Sequence, residues 1–536
     1  MAPLSSRPAP KACFVGSTFD RALRSPLKLA MVTPGQQKQQ LSGCSTIWVA
    51  SNMRLRKFYR TGLAQTSGKS ESLLGADEVA ANSQLLIELE SRLDPKCIQS
   101  DVDVIAAYAQ DRAVFEGAGS AAVLVMPRST AEVVAAVEAA KSAGVPIVPR
   151  GAGTGLTGAA NATDGCVLLS LHRMNQILEI DVINRMCRVQ PGVINSDLKG
   201  AVAKQGLFYP PDPASFEMSS VGGNVATNAG GLCCVKYGVT RDYVIGLEVV
   251  LASGAVIRTG RHTLKSTTGL DLTGLFVGSE GVLGVITEIT LKLVPSPPPP
   301  ATAVAYFDQL PHAGETIVEV FKQGHEPSMM EILDRASLRQ VDAVYNMGLD
   351  VDAACLLLIQ TSGDQAAASI EAIANICRAA GATYVAHVDD PEEGEMLVEV
   401  RRRVWPAFEH LGKAMLPEDV AVPRQHLPEL MAGIVAIGER HELELPTIGH
   451  AGDGNMHPLL IFNGEDKDEV ERVRTAFAEI VKLALSLGGT IAAEHGVGTL
   501  KRAFVSEEIG PAELGAMEVI RAALDPDRRF NPGKKL

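Results

Sequence analysis

The 536-residue chain has no run of about eighteen uncharged apolar residues, so no segment reads as a membrane span; contact with a membrane through a partner stays open. Its nine cysteines form no C-x-x-C, and the adjacent Cys233 and Cys234 cannot chelate a cluster by themselves. The chain therefore supplies no iron–sulfur centre, and scattered thiols suit a reducing compartment. Beyond its start the chain is also short of positive charge. Residues 1–70 hold eleven Lys or Arg against one acid, Asp20; with a formal total of −13, their net +10 leaves −23 on the remainder. A body so acidic lacks the basic footprint that nucleic-acid binding requires. No compact apolar core precedes a small-residue cleavage site, so the start does not read as secretory. Basic, Ser-containing and acid-poor, it resembles an organelle transit peptide, which implies a mitochondrial location. A disordered tail, or translation from Met53 before "RLRKFYRTG", explains the same composition and leaves the protein cytoplasmic.

What is present is ordinary for a globular chain: 46% hydrophobic and 21% charged residues, and length enough for two or three domains with a core in each. Folding signals strengthen after about residue 82. "NSQLLIELESRL" (82–93) has helical spacing, "AAVLVMP" (121–127) reads as a buried strand, and "STAEVVAAVEAAKSAG" (129–144) is a helix with a Ser cap, an early Glu and a terminal Gly. "VPIVPR" (145–150), "GCVLLSL" (165–171), "QILEIDVIN" (176–184) and "MCRVQPGV" (186–193) read as strands, and "INSDLKGAVAKQG" (194–206) as a capped helix. "PSPPPP" (295–300) is the clearest domain boundary; beyond it longer helices alternate with strands such as "AACLLLIQTS" (353–362).

Gly153, Gly155 and Gly158 in "PRGAGTGLTGAAN" (149–161) spell G-x-G-x-x-G. A nicotinamide-dinucleotide fingerprint needs a helix directly after the glycines, to seat the pyrophosphate on its N-terminus. Here "AANATDG" and then another strand follow, although Asp181 lies at a plausible distance for a ribose partner. A loop of bare main chain offering N–H groups to a phosphate fits better. A second such stretch, "SSVGGNVATNAGG" (219–231), suggests two walls around a flat ring or a diphosphate. Paired tight turns are the bland alternative.

Taken in order, "PRGAGTGLTG", "YPPDPAS" (209–215), "SSVGGNVATNAGG", "KYG" (236–238) and "GSEGVLGVITEITLKL" (278–293) resemble the FAD-binding domain of the vanillyl-alcohol oxidase/p-cresol methylhydroxylase superfamily. "HAGDGNMHP" (450–458), "EHGVG" (494–498) and "FNPGK" (530–534) are similar to its D-2-hydroxyacid dehydrogenase branch: D-lactate and D-2-hydroxyglutarate dehydrogenases and the flavin subunit of glycolate oxidase. The resemblance runs from about residue 85 to the C-terminus. It implies an α+β fold. A two-subdomain FAD-binding domain (82–297) would follow the basic extension (1–81). A cap domain with an antiparallel sheet (298–490) and a C-terminal segment returning to the FAD domain (491–536) would complete it. It also implies that Arg150, Gly151, Ala152, Gly153, Thr154 and Gly155 wrap the FAD diphosphate. Gly222, Gly223, Asn224, Thr227, Asn228, Gly230 and Gly231 would line the isoalloxazine and ribityl side, which Asp212 and Ser215 approach. Glu280, Gly281 and Ile286 fall on the adenine side, and Asn531 reaches back from the C-terminus. The loop 149–161 contains no His or Cys for covalent attachment, so FAD is expected to bind non-covalently.

His450 and His457 flank a glycine-rich turn, and Glu494 and His495 come thirty-seven residues later. Two imidazoles and a carboxylate suit a divalent metal with open positions, zinc or else manganese or iron, without forming a zinc-finger or H-E-x-x-H pattern. By spacing alone they could equally be buried hydrogen-bonding residues or flavin contacts. The resemblance makes His450, His457 and Glu494 the metal ligands and leaves His495 as general base. In "VEVRRRVWPAFEHLG" (398–412), aligned through "VAVPRQHLP" (420–428), it makes Arg401 the grip on a substrate carboxylate. Hydroxyglutarate enzymes carry a Lys and an Asn where this chain has Pro417 and Leu459, which implies a small monocarboxylate here. The implied reaction is oxidation of D-lactate or glycolate to the keto acid. Electrons would pass to a quinone, a cytochrome or a flavoprotein, with oxidase partner subunits a possible setting. A non-catalytic flavin subunit and a metal-dependent hydrolase are the competing readings; the hydrolase has no use for the two glycine walls.

Overall fold

The computed structural model describes residues 76–263 and 265–536. The expected targeting or disordered extension lies outside them, except where the helix Ala76–Arg92 begins. No helix among the described residues is long and apolar enough to cross a membrane.

The α+β architecture consists of two small sheets followed by one large one. The first has the strand order Ile98–Gln99, Val123–Val125, Val167–Ser170, Ile147–Arg150, the last three parallel. Helix Thr130–Ala143 packs on it, capped by Ser129 and ended by Gly144 at φ 70°. The parallel neighbours Ile147–Arg150 and Val167–Ser170 are joined without a helix. Such a crossover needs a dozen or more residues, and the glycine loop supplies them. The second sheet is antiparallel, in the order Ile177–Asp181, Met186–Val189, Val285–Lys292, Val244–Val250, Val256–Gly260. Two local expectations change. The helix Asn195–Ala203 starts at Ile194 with no side-chain cap, because isoleucine at that position has no acceptor for the first amides; Asn195 instead donates its Nδ2 to the Pro211 carbonyl. The second glycine stretch is no simple turn: Val221–Thr227 is a helix capped by Ser220 and ended by Asn228 at φ 56°.

The large sheet is antiparallel and runs Tyr384–Val388, Ala301–Phe307, Cys355–Thr361, Met329–Asp334, Thr447–His450, Asn455–Phe462, Ala414–Pro417. Its strands read as continuous apolar runs because both faces are covered. Met330, Ile332, Leu357 and Ile359 point into one core with helices Leu310–Lys322, Ala366–Ala379 and Leu427–His441. Met329, Leu333, Leu356 and Leu358 point into another, under Arg335–Tyr345 and Pro391–Arg402. Period two thus assigns every side chain on these strands to a face. The C-terminus then crosses back to the first sheet. Ile147 N donates to the Arg529 carbonyl and Asn531 N to the Ile147 carbonyl, both at 2.8 Å, adding a short parallel bridge at the sheet's edge.

Candidate active site

The two glycine stretches meet. A Cβ on Gly151 would come 2.5 Å from Ser220 Oγ and 3.4 Å from Gly223 Cα, so only glycine allows this approach. Gly153 has φ 74°, and a side chain there would run into the Arg150 guanidinium. Nothing in the protein accepts from the backbone N–H groups of Ala152, Gly153, Thr154, Gly155, Gly230 and Gly231 among the described residues. Arg150 is 7% exposed; its Nη2 donates to the Gln110 carbonyl at 3.1 Å, while its Nη1 is buried without a partner. Asn224 Nδ2 and Ser219 Oγ are buried and unpartnered as well. Buried donors left over on both walls are what an anionic, hydrogen-bonding cofactor would satisfy, and the residues present fit FAD in this respect.

Other residues expected at the cofactor are engaged with the protein, through side chain or backbone. Asn228 Oδ1 accepts from Arg241 N, Thr227 Oγ1 donates to the Gly223 carbonyl, and Ile286 packs in the second sheet's core. Asp212 accepts from Cys233 N, and its carbonyl lies where a Cβ on Gly231 would fall. The Ser215 carbonyl accepts from Met218 N and Ser219 N. Glu280, at φ 51°, takes the N–H groups of Val497 and Gly498, each at 2.8 Å, and its carbonyl accepts from Asn531 Nδ2. It therefore pins the 494–498 loop and the C-terminus to the first domain. Gly281, at φ 76°, packs beside Pro149.

His450, His457, Glu494 and His495 come together at the other side of the second wall. Ligand atoms of His450, His457 and Glu494 all lie within 4.8 Å of one another. Glu494 Oε1 is 3.2 Å from His450 Nε2, 3.4 Å from His457 Nε2 and 3.8 Å from His495 Nε2. The His495 ring stacks on His457, with centroids 4.9 Å apart. The strand register explains the meeting. Ile448 faces His457 across the strand pair Thr447–His450 and Asn455–Phe462, so His450 and His457 share a face. Gly230 closes the gap to the wall, since a Cβ there would come 2.5 Å from Glu494 Oε2.

Five residues of the cluster lay outside the sequence reading. Glu331 Oε1 is 2.7 Å from His450 Nδ1, and its Oε2 accepts from Arg401 Nε at 2.7 Å. The Glu418 carbonyl lies 3.2 Å from His457 Nδ1. Asp419 Oδ2 accepts from the backbone N–H of Glu494 and of His495, at 2.9 and 2.8 Å. Lys501, 1% exposed, pairs with the Glu418 carboxylate and donates to the Asp419 carbonyl at 2.7 Å. Asn455, opposite His450, keeps a buried, unpartnered Oδ1. A signal existed for some of them: an acid in the middle of the apolar run "MMEIL", and two adjacent acids in "AMLPEDVAV".

The electrostatics follow from burial and pairing. Burial pulls His450 down, yet Glu331 and Glu494 together hold its pKa well above the ordinary value. Burial opposes charge on Glu494 too, but His450 and His457 hold it well below the carboxylate range. Burial dominates at His495 and pushes it down to about 4 against the pull of Asp419, so its imidazole is neutral near pH 7. With Nδ1 of His450 and His457 turned to Glu331 and the Glu418 carbonyl, both Nε2 atoms are directed at one carboxylate oxygen. That arrangement of two imidazoles and a carboxylate fits a divalent cation.

Residues 121–260 match the FAD binding domain family, and residues 296–535 match the C-terminal domain of FAD linked oxidases. The chain is 43% identical to glycolate oxidase subunit GlcD of Bacillus subtilis, over 77% of this chain and 88% of that protein. It is 33% identical to D-lactate dehydrogenase of Anaerostipes hadrus, over 84% of this chain and 96% of that protein. The crystal structure of p-cresol methylhydroxylase with substrate bound shares the fold, with a TM-score of 0.71 at 16% identity, over 87% of this chain and 98% of that one. Matched on both sides of the proline-rich break, and closely related to proteins it covers almost end to end, the chain belongs to the FAD-linked oxidases.

Proposed function

We propose that the protein oxidises a small D-2-hydroxy acid, D-lactate or glycolate, to the 2-keto acid. The observation that carries this reading is the close approach of Gly230 of the second glycine wall to Glu494 of the His–His–Glu cluster, which would set a redox cofactor's binding surface against a substrate-activating site. FAD, if held between the walls, would supply a hydride acceptor for the α-hydrogen. A divalent metal, with zinc the first choice, would supply Lewis acidity toward the substrate hydroxyl. His450, His457 and Glu494 would hold it. His495, kept neutral by burial, takes the hydroxyl proton at Nε2. Asp419 keeps Glu494 and His495 in place through their backbone amides. Arg401 has its Nε committed to Glu331, and its Nη groups are the grip for the substrate carboxylate. Loss of the hydroxyl proton and the α-hydride leaves the carbonyl of the keto acid.

The small-substrate reading gains support from the register, which pairs Pro417 directly with Leu459; both are buried, and Leu459 lies two residues beyond His457 on the same face. That apolar pair offers a second carboxylate no partner. The electrons then leave for a quinone, a cytochrome or a flavoprotein. Relatives named as oxidase subunits support a multi-chain setting, and a relative named as mitochondrial in Danio rerio supports an organelle location. The test is anaerobic: D-lactate, L-lactate, glycolate and D-2-hydroxyglutarate are added separately and the flavin absorbance followed. Bleaching by D-lactate or glycolate alone is expected. Bleaching only by the dicarboxylate, or by none, overturns the substrate assignment.

A further inference from the structure

Glu331 sits in the strand Met329–Asp334 at 0% exposure, on the face it shares with Met329 and Leu333. A buried carboxylate costs several kcal/mol unless every lone pair is used, on the order of the penalty for any desolvated ion. Here the two oxygens serve different partners: Oε1 lies 2.7 Å from His450 Nδ1, and Oε2 accepts from Arg401 Nε at 2.7 Å. An ionised carboxylate only accepts hydrogen bonds. His450 Nδ1 must therefore carry a hydrogen, which makes Nε2, 3.2 Å from Glu494, the nitrogen that would give up its proton to bind a cation. The same group neutralises Arg401 and fixes the rotation of its guanidinium. We propose that Glu331 is a positioning residue that couples the two halves of the site: one carboxylate selects the metal-binding tautomer of His450 and orients Arg401 for the substrate. The proposal rests on the metal-assisted reading above.

Its chemistry makes an unusual demand on replacements. Glu331→Gln is nearly isosteric but has one acceptor and one donor end. The charged Arg401 takes the amide oxygen, and the amide NH2 then faces His450 Nδ1. That selects the opposite tautomer and puts a hydrogen on Nε2, where a cation must bind. Removing Arg401 frees the Gln to turn its oxygen to His450. A substitution that damages a second residue should therefore restore metal binding.

The experiment measures zinc affinity of the FAD-loaded full chain, by competition with a chromophoric chelator, for wild type, Glu331→Gln, Arg401→Met and the double variant. Flavin absorbance reports folding. The expected result is a 10- to 100-fold loss, roughly, in Glu331→Gln, the size seen when such outer partners are removed. Arg401→Met should stay near wild type, and the double variant should recover most of the loss. Equal affinity in wild type and Glu331→Gln, or no recovery in the double variant, overturns the coupling. If Glu331→Gln does not accumulate as yellow protein, Gln and Leu at 331 are compared in the Arg401→Met background. Gln should bind zinc tighter by about tenfold or more, and equal binding overturns the proposal. A wild type that binds no divalent ion brings down the metal reading itself, an outcome distinct from a wild type that binds and a Glu331→Gln that binds as well.

Discussion

The two walls of the site are made of different material. The side formed by 150–155 and 219–231 is mostly main chain: glycines that let strands of backbone touch, amides without protein acceptors, and a few buried donors. The other side, built from the large sheet, the helix that carries Arg401 and the C-terminal loop, is almost all side chain: Glu331, Arg401, Asp419, His450, His457, Glu494, His495 and Lys501, in contact and mostly buried. Main chain recognises by shape and by many weak donors, so its loss is graded. A network of buried charges is high-stakes, because each member leaves the next unpaired when removed. The comparison teaches that cofactor binding and substrate chemistry should fail separately.

The sharpest way to break that separation is His495→Ala. It should slow anaerobic flavin reduction about a hundred- to ten-thousand-fold while the protein stays yellow; loss of colour would show that the walls and the cluster are one unit. Next comes His457→Ala, or removal of the metal by a chelator. Reduction should slow at least about tenfold with FAD retained, and unchanged single-turnover traces would remove the metal from the mechanism. The opposite experiment is Gly153→Ala. A side chain at φ 74°, driven toward Arg150, should weaken FAD binding about tenfold, a cost of about 1.4 kcal/mol, and leave zinc affinity as it was. Equal loss of both ligands would again contradict separate failure.

The smallest expected effect concerns a half-buried acid at the end of a strand in the large sheet. Asp334 caps the helix Arg335–Tyr345 and accepts from Ser337 N and Thr447 N, and burial pushes its pKa up to about 6 from 3.8. A carboxyl raised in this way contributes stability below about pH 4, which is lost as pH rises through about 6. The melting temperature of wild type should therefore fall relative to Asp334→Asn by a few degrees across that window. Parallel curves for the two proteins would mean that the acid is solvated in the folded state.

Much of the fold could be read in advance, because strands such as Val167–Ser170 and helices such as Thr130–Ala143 carry their caps, periods and breaks locally. The helix Val221–Thr227 could not, since small residues and glycines give it almost no propensity and Ser220 and the packing against Pro191 hold it instead. The helix Asn195–Ala203 likewise lacks the side-chain cap that its polar start suggests, since the boundary falls on Ile194.

The local sequence determines what can be decided within a few residues: which segments are helix or strand, where bare backbone is available, and which residue types are present to bind a metal or move a proton. Only the tertiary structure decided that Glu331, seventy positions from Arg401 and over a hundred from His450, would join them. Antiparallel register sets which side chains share a sheet face, and the return of the C-terminal segment to the first sheet sets which loop closes over it. Both depend on contacts far apart in the chain, and no local pattern of residues encodes those.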